Sequence, residues 1–157
     1  MQLSKLLTLE EATRSWTAKR KGLINDVTCQ GHLENLKWLA NTIYDPLKFR
    51  FPEMFIQIVY RTPAVNLAVG GAKNSQHILG EAIDVDSPDN RLNAEIFHFV
   101  VRNLNFDQVI WEFGGEANPD WVHISCKLNN IGNRKKITRA IRDENGKTKY
   151  IPFNLPL

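Results

Sequence analysis

The sequence predicts an α+β fold in which helices come first and are followed mostly by the strands of a small, largely antiparallel sheet. Apolar residues recur at helical spacing in the first 44 residues, whereas most later segments are short and rich in β-branched and aromatic residues. Near the end of the chain, Asn145-Gly146 separates two such short runs, and this pair strongly favours a β-hairpin turn.

Two N-terminal helices are expected, over residues 9–19 and 31–44. Thr8 and Glu11 have the spacing of a capping box, in which each side chain bonds the backbone amide of the other, so they mark the start of the first helix. The second helix is expected to end before Pro46, because a proline disfavours the helical conformation in the residue that precedes it.

The rest of the chain is predicted to form two more helices, several strands and one polar loop. The helices cover residues 63–69 and 92–104, and the loop covers residues 73–80. The predicted strands, of which the last two form the C-terminal hairpin within residues 134–153, cover residues 55–60, 82–85, 108–112, 121–126, 137–142 and 149–153.

Length and composition indicate one globular domain spanning residues 1–157. A chain of 157 residues can bury a substantial core, and a content of 43% hydrophobic and 24% charged residues is ordinary for a soluble protein. The two cysteines, Cys29 and Cys126, are too few for a disulfide framework or a four-cysteine zinc site, and we expect both to be reduced and buried. We expect the protein to be a monomer.

The N-terminus and the charge pattern give expectations for localisation and binding partners. The N-terminal residues lack a signal-peptide core, and no run of about 20 apolar residues could span a bilayer, so we expect synthesis in the cytoplasm. The net charge is +3, and many of the basic residues come late: Arg134, Lys135, Lys136, Arg139, Arg142, Lys147 and Lys149. A solvated hairpin accounts for these charges, and nucleic acid is not expected as a partner.

The most informative segment of the sequence runs from Ser75 to Asp84. It places His77 in a predicted loop and Asp84 seven residues later in a predicted strand, and His123 lies in a later strand. Two imidazoles and one carboxylate from separate elements are usual ligands of catalytic zinc, with the fourth position left for water. Gly80, between the first two candidates, permits the tight turn that a loop-to-strand site needs.

Strand periodicity adds a further acid to this candidate site. Side chains two residues apart in a strand point to the same side, so Asp84, Glu112 and His123 converge over one face if their strands are neighbours. On spacing alone, the same residues could equally be structural polar groups.

Taken together, the motifs resemble those of the zinc D-alanyl-D-alanine carboxypeptidases and related phage endolysins, whose fold is shared by hedgehog signalling domains. The resemblance covers about residues 34–126 and rests on Ser75-x-His77-x-x-Gly80-x-Ala82-x-Asp84, Trp121-x-His123, Tyr60-Arg61-Thr62-Pro63, Asn66 and Gly70-Gly71. It implies a hedgehog- or DD-peptidase-like fold in which His77, Asp84 and His123 bind Zn²⁺.

The resemblance also implies a general base beside the metal, because a zinc peptidase needs a carboxylate that moves a proton from water to the leaving amine. Asp120 has the position of this acid in several family members, but in a regular strand it would face away from His123. Glu112 ends a strand that resembles the hedgehog-type pattern, and we favour it over Asp120. Glu116 is interpreted as an exposed loop acid.

Two further residues are implied as substrate contacts. Arg61 follows a predicted strand at a point where the family has an arginine that binds a substrate carboxylate or stabilises the oxyanion. Ser75 is expected either to orient the substrate or to cap the loop. Trp111 and Trp121 could line a substrate cleft, but aromatic residues in strands are more often in the core, where we expect them.

The function implied by the resemblance is zinc-dependent hydrolysis of peptidoglycan stem peptides, of either the D-Ala-D-Ala carboxypeptidase or the L-Ala-D-Glu endopeptidase type. Without an export signal, such a protein would suit a phage-type lysin that acts on the cell wall after its release. The alternative is a non-catalytic zinc module that binds cell wall or a protein partner. The presence of Glu112 and Asp120 argues against that alternative.

Overall fold

The computed structural model of the protein describes residues 1–153, so residues 154–157 of the expected domain lie outside the described part. The predicted α+β class is confirmed. The helices are α1 Leu9–Thr13, α2 Trp16–Lys21, α3 Gln30–Leu39, α4 Asp45–Arg50, α5 Pro63–Ala68, α6 Gln76–Leu79 and α7 Asn93–Asn103. The strands are β1 Phe55–Ile58, β2 Ala82–Asp86, β3 Gln108–Glu112, β4 Trp121–Ser125, β5 Lys136–Arg142 and β6 Thr148–Pro152.

The six strands form one sheet in the order β1-β2-β4-β3-β5-β6. Neighbouring strands are antiparallel except β3 and β5, which run parallel. The β5–β6 hairpin predicted at the C-terminus is therefore confirmed, and it extends the sheet beyond β3. Strands β2, β4 and β3 are direct neighbours at the centre, as convergence of their polar side chains requires.

The two faces of the sheet differ in what covers them. Alternate residues of the central strands, such as Ile83, Val109 and Ile124, are fully buried in one core cluster with side chains of the long helices. Burial of each such side chain stabilises the fold by about 2 kcal/mol. The residues between them, which include Asp84 and His123, point to the opposite face and are left for a site.

The predicted helix over residues 9–19 is wrong in one respect, because two short helices replace it. The capping box of Thr8 and Glu11 starts α1 as expected. Arg14 then adopts an extended conformation, and the Ser15 hydroxyl accepts a hydrogen bond from the Ala18 amide and so starts α2. A second capping serine therefore outweighs continuation of the helix.

The prediction that Pro46 ends the second helix is also wrong. A π-helical turn over Ala40–Tyr44 widens the helix, and the Asp45 amide donates to the Ala40 carbonyl five residues back. Pro46 then lies in the first turn of α4, where its missing N–H is not needed, and the helix continues to Arg50.

Smaller differences concern a loop, strand ends and a cysteine. Residues 73–80 contain the single-turn helix α6, and the predicted strands 55–60 and 121–126 end at Ile58 and Ser125. Both cysteines are free, but Cys29 is exposed whereas Cys126 is buried, so only one of the two is the expected buried thiol. No helix within residues 1–153 is long and apolar enough to cross a bilayer.

Candidate metal centre and active-site cleft

The structure brings together the three predicted metal ligands from three separate elements. His77 lies on α6, Asp84 lies in the middle of β2, and His123 is directly opposite Asp84 on β4. Among the described residues, the three offer ligand atoms that all lie within 4.8 Å of one another. The tertiary structure therefore meets the first requirement for a metal site, which is convergence.

The ring nitrogens of both histidines are directed at the same carboxylate. His77 Nε2 lies 3.3 Å from Asp84 Oδ1, and His123 Nδ1 lies 2.8 Å from the same atom. The other nitrogen of His77, Nδ1, lies 2.8 Å from the Val59 carbonyl oxygen. Since a carbonyl can only accept, Nδ1 of His77 carries the proton and Nε2 presents a lone pair to the centre.

One of these distances matches a tetrahedral zinc ion. Nitrogen and oxygen ligands lie about 2.1 Å from zinc, so neighbouring tetrahedral ligand atoms are roughly 3.4 Å apart. The 3.3 Å between His77 and Asp84 agrees with this spacing, whereas the 2.8 Å between His123 and Asp84 is a hydrogen-bond distance that would lengthen around a metal. Two imidazoles and one carboxylate form a donor set that zinc prefers, so the residues present fit this metal.

The charge state of Asp84 also suits a metal ligand. Burial opposes its ionisation, but the neighbouring His77 and His123 outweigh burial and hold the pKa of the carboxyl well below its usual range. Only 15% of the Asp84 side chain is exposed. The carboxylate is therefore ionised at neutral pH.

Gly80 explains why the chain can turn between His77 and Asp84. It ends α6 with a φ of +73°, a conformation that favours glycine, and its amide donates to carbonyl groups of α6. A Cβ atom here would lie 2.8 Å from the His32 carbonyl oxygen and 2.9 Å from Leu36 Cγ. Glycine at this position therefore allows α6 to pack closely on α3.

Glu112 and Asp120, the two candidate general bases, lie in different surroundings. Glu112 lines the cleft that contains the metal centre and is 6% exposed. Burial raises the pKa of Glu112 to about 7, with His123 opposing the rise and Asp84 adding to it. Asp120 is exposed and lies outside the lining of the cleft, although its backbone amide donates to the Glu112 carbonyl.

The two predicted substrate contacts both line the cleft. Burial lowers the pKa of Arg61 and Asp84 opposes this, while the Arg61 Nε atom is buried without a hydrogen-bond partner among the described residues. Ser75 precedes α6, but no hydrogen bond from its side chain caps that helix within the described part. Both side chains are thus available to a ligand.

One aromatic residue of the cleft lining, Trp121, was expected in the core. Trp111 is buried as predicted and stacks on Phe153, but Trp121 is half-buried and lines the cleft. Its ring lies 5.4 Å from that of Phe113, which has a φ of +52°. This positive φ breaks the alternation of the strand, so Phe113 lines the cleft beside its neighbour Glu112.

The cleft as a whole encloses about 830 Å³ and extends well beyond the metal centre. Sequence reasoning missed six residues of its lining that follow β4: Lys127, Arg134, Lys136, Arg142, Thr148 and Tyr150. The sequence favours a solvated hairpin for the late basic residues, but three of them, Arg134, Lys136 and Arg142, border the cleft. Strand alternation could have indicated part of this lining. Positions 136 and 142 lie an even number of residues apart in the region of one predicted strand, so their side chains share a face of the sheet.

Glu116 is exposed and lies outside the cleft lining, as the sequence predicted. His32 and His98 are not among the ligand group of the metal centre. His32 Nδ1 lies 3.3 Å from the Tyr60 hydroxyl oxygen, and His98 packs edge-on against Phe97. A hydrogen bond thus accounts for His32, whereas Nδ1 of His98 is buried without a hydrogen-bond partner among the described residues.

Comparison with known proteins gives one positive result. No curated protein matches the chain. The family model of peptidase M15 matches residues 5–125, a stretch that includes all three candidate ligands and both candidate bases. Members of this family are zinc-dependent peptidases that act on cell-wall peptides in general. Because the match covers most of the sequence, the chain belongs to the peptidase M15 family.

Proposed function

We propose that this protein hydrolyses peptide bonds in the stem peptides of peptidoglycan, as a monomeric single domain of residues 1–157. The observation that carries the proposal is that His77, Asp84 and His123 converge in the same cleft as the buried Glu112. A non-catalytic zinc module would need the three ligands but not a carboxylate beside them.

The proposed chemistry divides between the metal and the chain. When bound by His77, Asp84 and His123, zinc supplies a Lewis acid that polarises the scissile carbonyl and lowers the pKa of water. Glu112 accepts the proton of the attacking water and returns it to the leaving amine. In the metal-free protein burial raises the pKa of Glu112 to about 7, and a bound cation would favour the carboxylate form that accepts the proton.

Arg61 and Ser75 are proposed to bind the substrate. Arg61 lines the cleft, and its guanidinium can donate to the oxyanion of the tetrahedral intermediate or to a substrate carboxylate. Ser75 borders the cleft next to α6 and can orient the peptide backbone.

We further propose that the protein acts on the cell wall after its release, in the manner of a phage-type lysin. Its net charge of +3 favours contact with an anionic wall polymer. An export signal encoded ahead of this sequence in the native gene would contradict the proposed release.

Mass spectrometry of purified peptidoglycan, incubated with zinc-loaded protein, tests the proposed activity. We expect new peptide fragments whose masses identify the bond that is cut. Glu112→Gln should lower kcat by about 100-fold or more, because it removes the proton acceptor, whereas the matched variant Asp120→Asn should stay within about threefold.

The outcomes separate the alternatives. If kcat fell by that amount in Asp120→Asn and was unchanged in Glu112→Gln, the general base would be Asp120. If protein confirmed to hold zinc released no fragments, the non-catalytic module would become the better account.

A further inference from the structure

The C-terminal segment supplies most of the positive charge that lines the cleft. Of the lining cations, Arg61 alone lies within the family-matched residues 5–125. The others follow that region: Lys127, Arg134, Lys136 and Arg142. Within the described residues, this later segment contributes no acid to the lining, and the three lining acids, Glu81, Asp84 and Glu112, all come from earlier in the chain.

Arg134 is held in place by a buried carboxylate. Asp107 is fully buried and accepts hydrogen bonds from the Arg134 backbone amide at 2.9 Å, from Nε at 2.9 Å and from Nη2. Burial alone would raise the pKa of Asp107, but the bonds from Arg134 bring it down to about 2. This fork fixes the guanidinium plane, while 51% of the side chain remains exposed and can donate further hydrogen bonds.

The charge at this end of the cleft is not cancelled by Asp107. Lys127 Nζ lies 3.8 Å from Asp107 Oδ1, so one carboxylate faces two cations. Lys136, at the start of β5, is exposed and adds a third. Glu81 also lines the cleft and helps to raise the pKa of Arg134. Three cations therefore meet two acids, which leaves a net positive site.

The same carboxylate connects this cationic site to the metal loop. Asp107 Oδ2 accepts a hydrogen bond from Gln76 Nε2 at 3.1 Å, and Gln76 precedes the candidate ligand His77. In the sheet, Lys136 pairs with Gln108, which lies two residues along β3 from Ile110, the residue opposite His123. That is roughly 7 Å along the strands and about 10 Å across two strand spacings, so the two backbones are roughly 12 Å apart, or three to four residues of an extended peptide.

We propose that Arg134, Lys136 and Lys127 form a carboxylate-binding subsite of the cleft, about three to four residues from the scissile bond. The inference rests on the proposed function and narrows the substrate to peptides with a carboxylate at that distance. Arginine held in a plane binds a carboxylate through two parallel, charge-assisted hydrogen bonds. The carboxylate belongs either to an acidic side chain or to the end of the peptide.

Calorimetric titration with three synthetic peptides tests the subsite. The parent peptide is Ala-D-Glu-Lys-D-Ala-D-Ala; a second has D-Gln in place of D-Glu, and a third has a C-terminal amide. The protein is the zinc-loaded full chain with Glu112→Gln, so that the bound peptide stays intact. Lys136→Gln and Arg134→Gln are added to this background, with Arg134→Lys as the variant that keeps the charge beside Asp107. Lys135→Gln is the matched control, because Lys135 is exposed and outside the cleft lining.

We expect the parent peptide to bind about tenfold more tightly than one of the two neutralised peptides, and the weaker one identifies the carboxylate. Lys136→Gln and Arg134→Gln should bring this ratio close to one, Arg134→Lys should lower it in part, and Lys135→Gln should preserve it. The subsite is overturned if the affinity ratio is near one in the protein that carries Glu112→Gln alone. It is also overturned if Lys135→Gln lowers the ratio as much as Lys136→Gln and Arg134→Gln do.

Cleavage of the same peptides by protein with Glu112 intact separates the two proposals. If binding shows the preference but no peptide is cut, the proposed function fails and the subsite stands. If peptides are cut without any acid-to-amide preference in kcat/KM, the subsite fails and the proposed function stands.

Discussion

Glu112 carries a carboxyl group whose surroundings oppose its charge in the metal-free protein. Burial is the main cause, and it raises the pKa from the ordinary value of 4.5 to about 7. Between these pH values the folded protein holds a proton that the unfolded chain has already lost. The stability of the metal-free fold therefore falls as the pH rises through this window.

Glu112→Gln should remove this loss. We expect the variant to unfold in urea with a free energy higher than that of the wild type by up to about 3 kcal/mol at about pH 8, and with little difference at about pH 4. Both proteins are measured after chelation of metal. Asp120→Asn is the control, and a pH-independent gain in Glu112→Gln would contradict the assigned pKa.

The three candidate ligands predict a second residue-level effect. Zinc that binds the folded state alone should stabilise the wild type by about 2.7 kcal/mol when free zinc is 100-fold above its Kd. His123→Ala should abolish most of this gain, whereas His32→Ala, outside the centre, should keep it. Thermal unfolding with and without zinc measures both, and equal gains in the two variants would rule out His123 as a ligand.

At the scale of elements, α6 carries His77 and depends on its glycine end. Gly80 combines a φ of +73° with close contacts to α3. Gly22 has a similar φ of +64°, but a Cβ atom added there would meet no other atom within 4 Å. The two glycines therefore separate the cost of a left-handed conformation from the cost of a steric clash.

Gly22→Ala should lower the free energy of unfolding by about 1 kcal/mol, which is the conformational cost alone. Gly80→Ala should lower it by about 3 kcal/mol or more, because α6 must also move away from α3. Displacement of His77 should weaken zinc binding only in Gly80→Ala. Chemical denaturation and zinc titration of both variants test this, and equal losses would show that the contact with α3 costs nothing.

Elements were predictable from sequence where the signal was local. The capping box at Thr8 and the turn at Asn145-Gly146 lie within a few residues of the structure they determine. The end of the second helix was not predictable in this way. The π turn before Pro46 buries Ala40, Ile43 and Tyr44 in the core, and this packing involves residues distant in sequence. Tertiary packing therefore overrode a correct local rule.

At the scale of the whole molecule, Asp107 connects three parts of the chain that are distant in sequence. It accepts hydrogen bonds from Gln76 next to the metal loop and from Arg134 before β5, while its own backbone continues into β3. Its pKa of about 2 lies below the ordinary value of 3.8. The stability that this shift contributes is thus present above about pH 4 and is lost as the pH falls through about 2.

Asp107→Asn should lower the free energy of unfolding by about 2 kcal/mol at neutral pH, with a difference that shrinks as the pH falls from about 4 towards 2. Urea unfolding at several pH values measures this. Asp89→Asn is the matched control, since Asp89 is exposed. A difference that does not depend on pH would show that Asp107 acts through packing and not through its charge.

The candidate site was predictable only in part, for reasons of sequence distance. His77, Gly80 and Asp84 lie in one short motif, and strand alternation was enough to place His123 and Glu112 on the same face. The cationic side of the cleft depends on the parallel pairing of β3 with β5 and on its register. Neither follows from local pattern, because no turn connects the two strands directly.

That parallel pairing has a consequence for how such a protein can change over time. The proposed catalytic residues lie before residue 126, and the cations of the proposed subsite lie after it. A single recombination near residue 126 would therefore be expected to change the ligand preference and leave the proposed reaction unchanged. The segment after residue 126 could be exchanged for another, but its deletion would leave β3 unpaired on one side. Without β5, the backbone of β3 would become an open edge able to pair with another molecule.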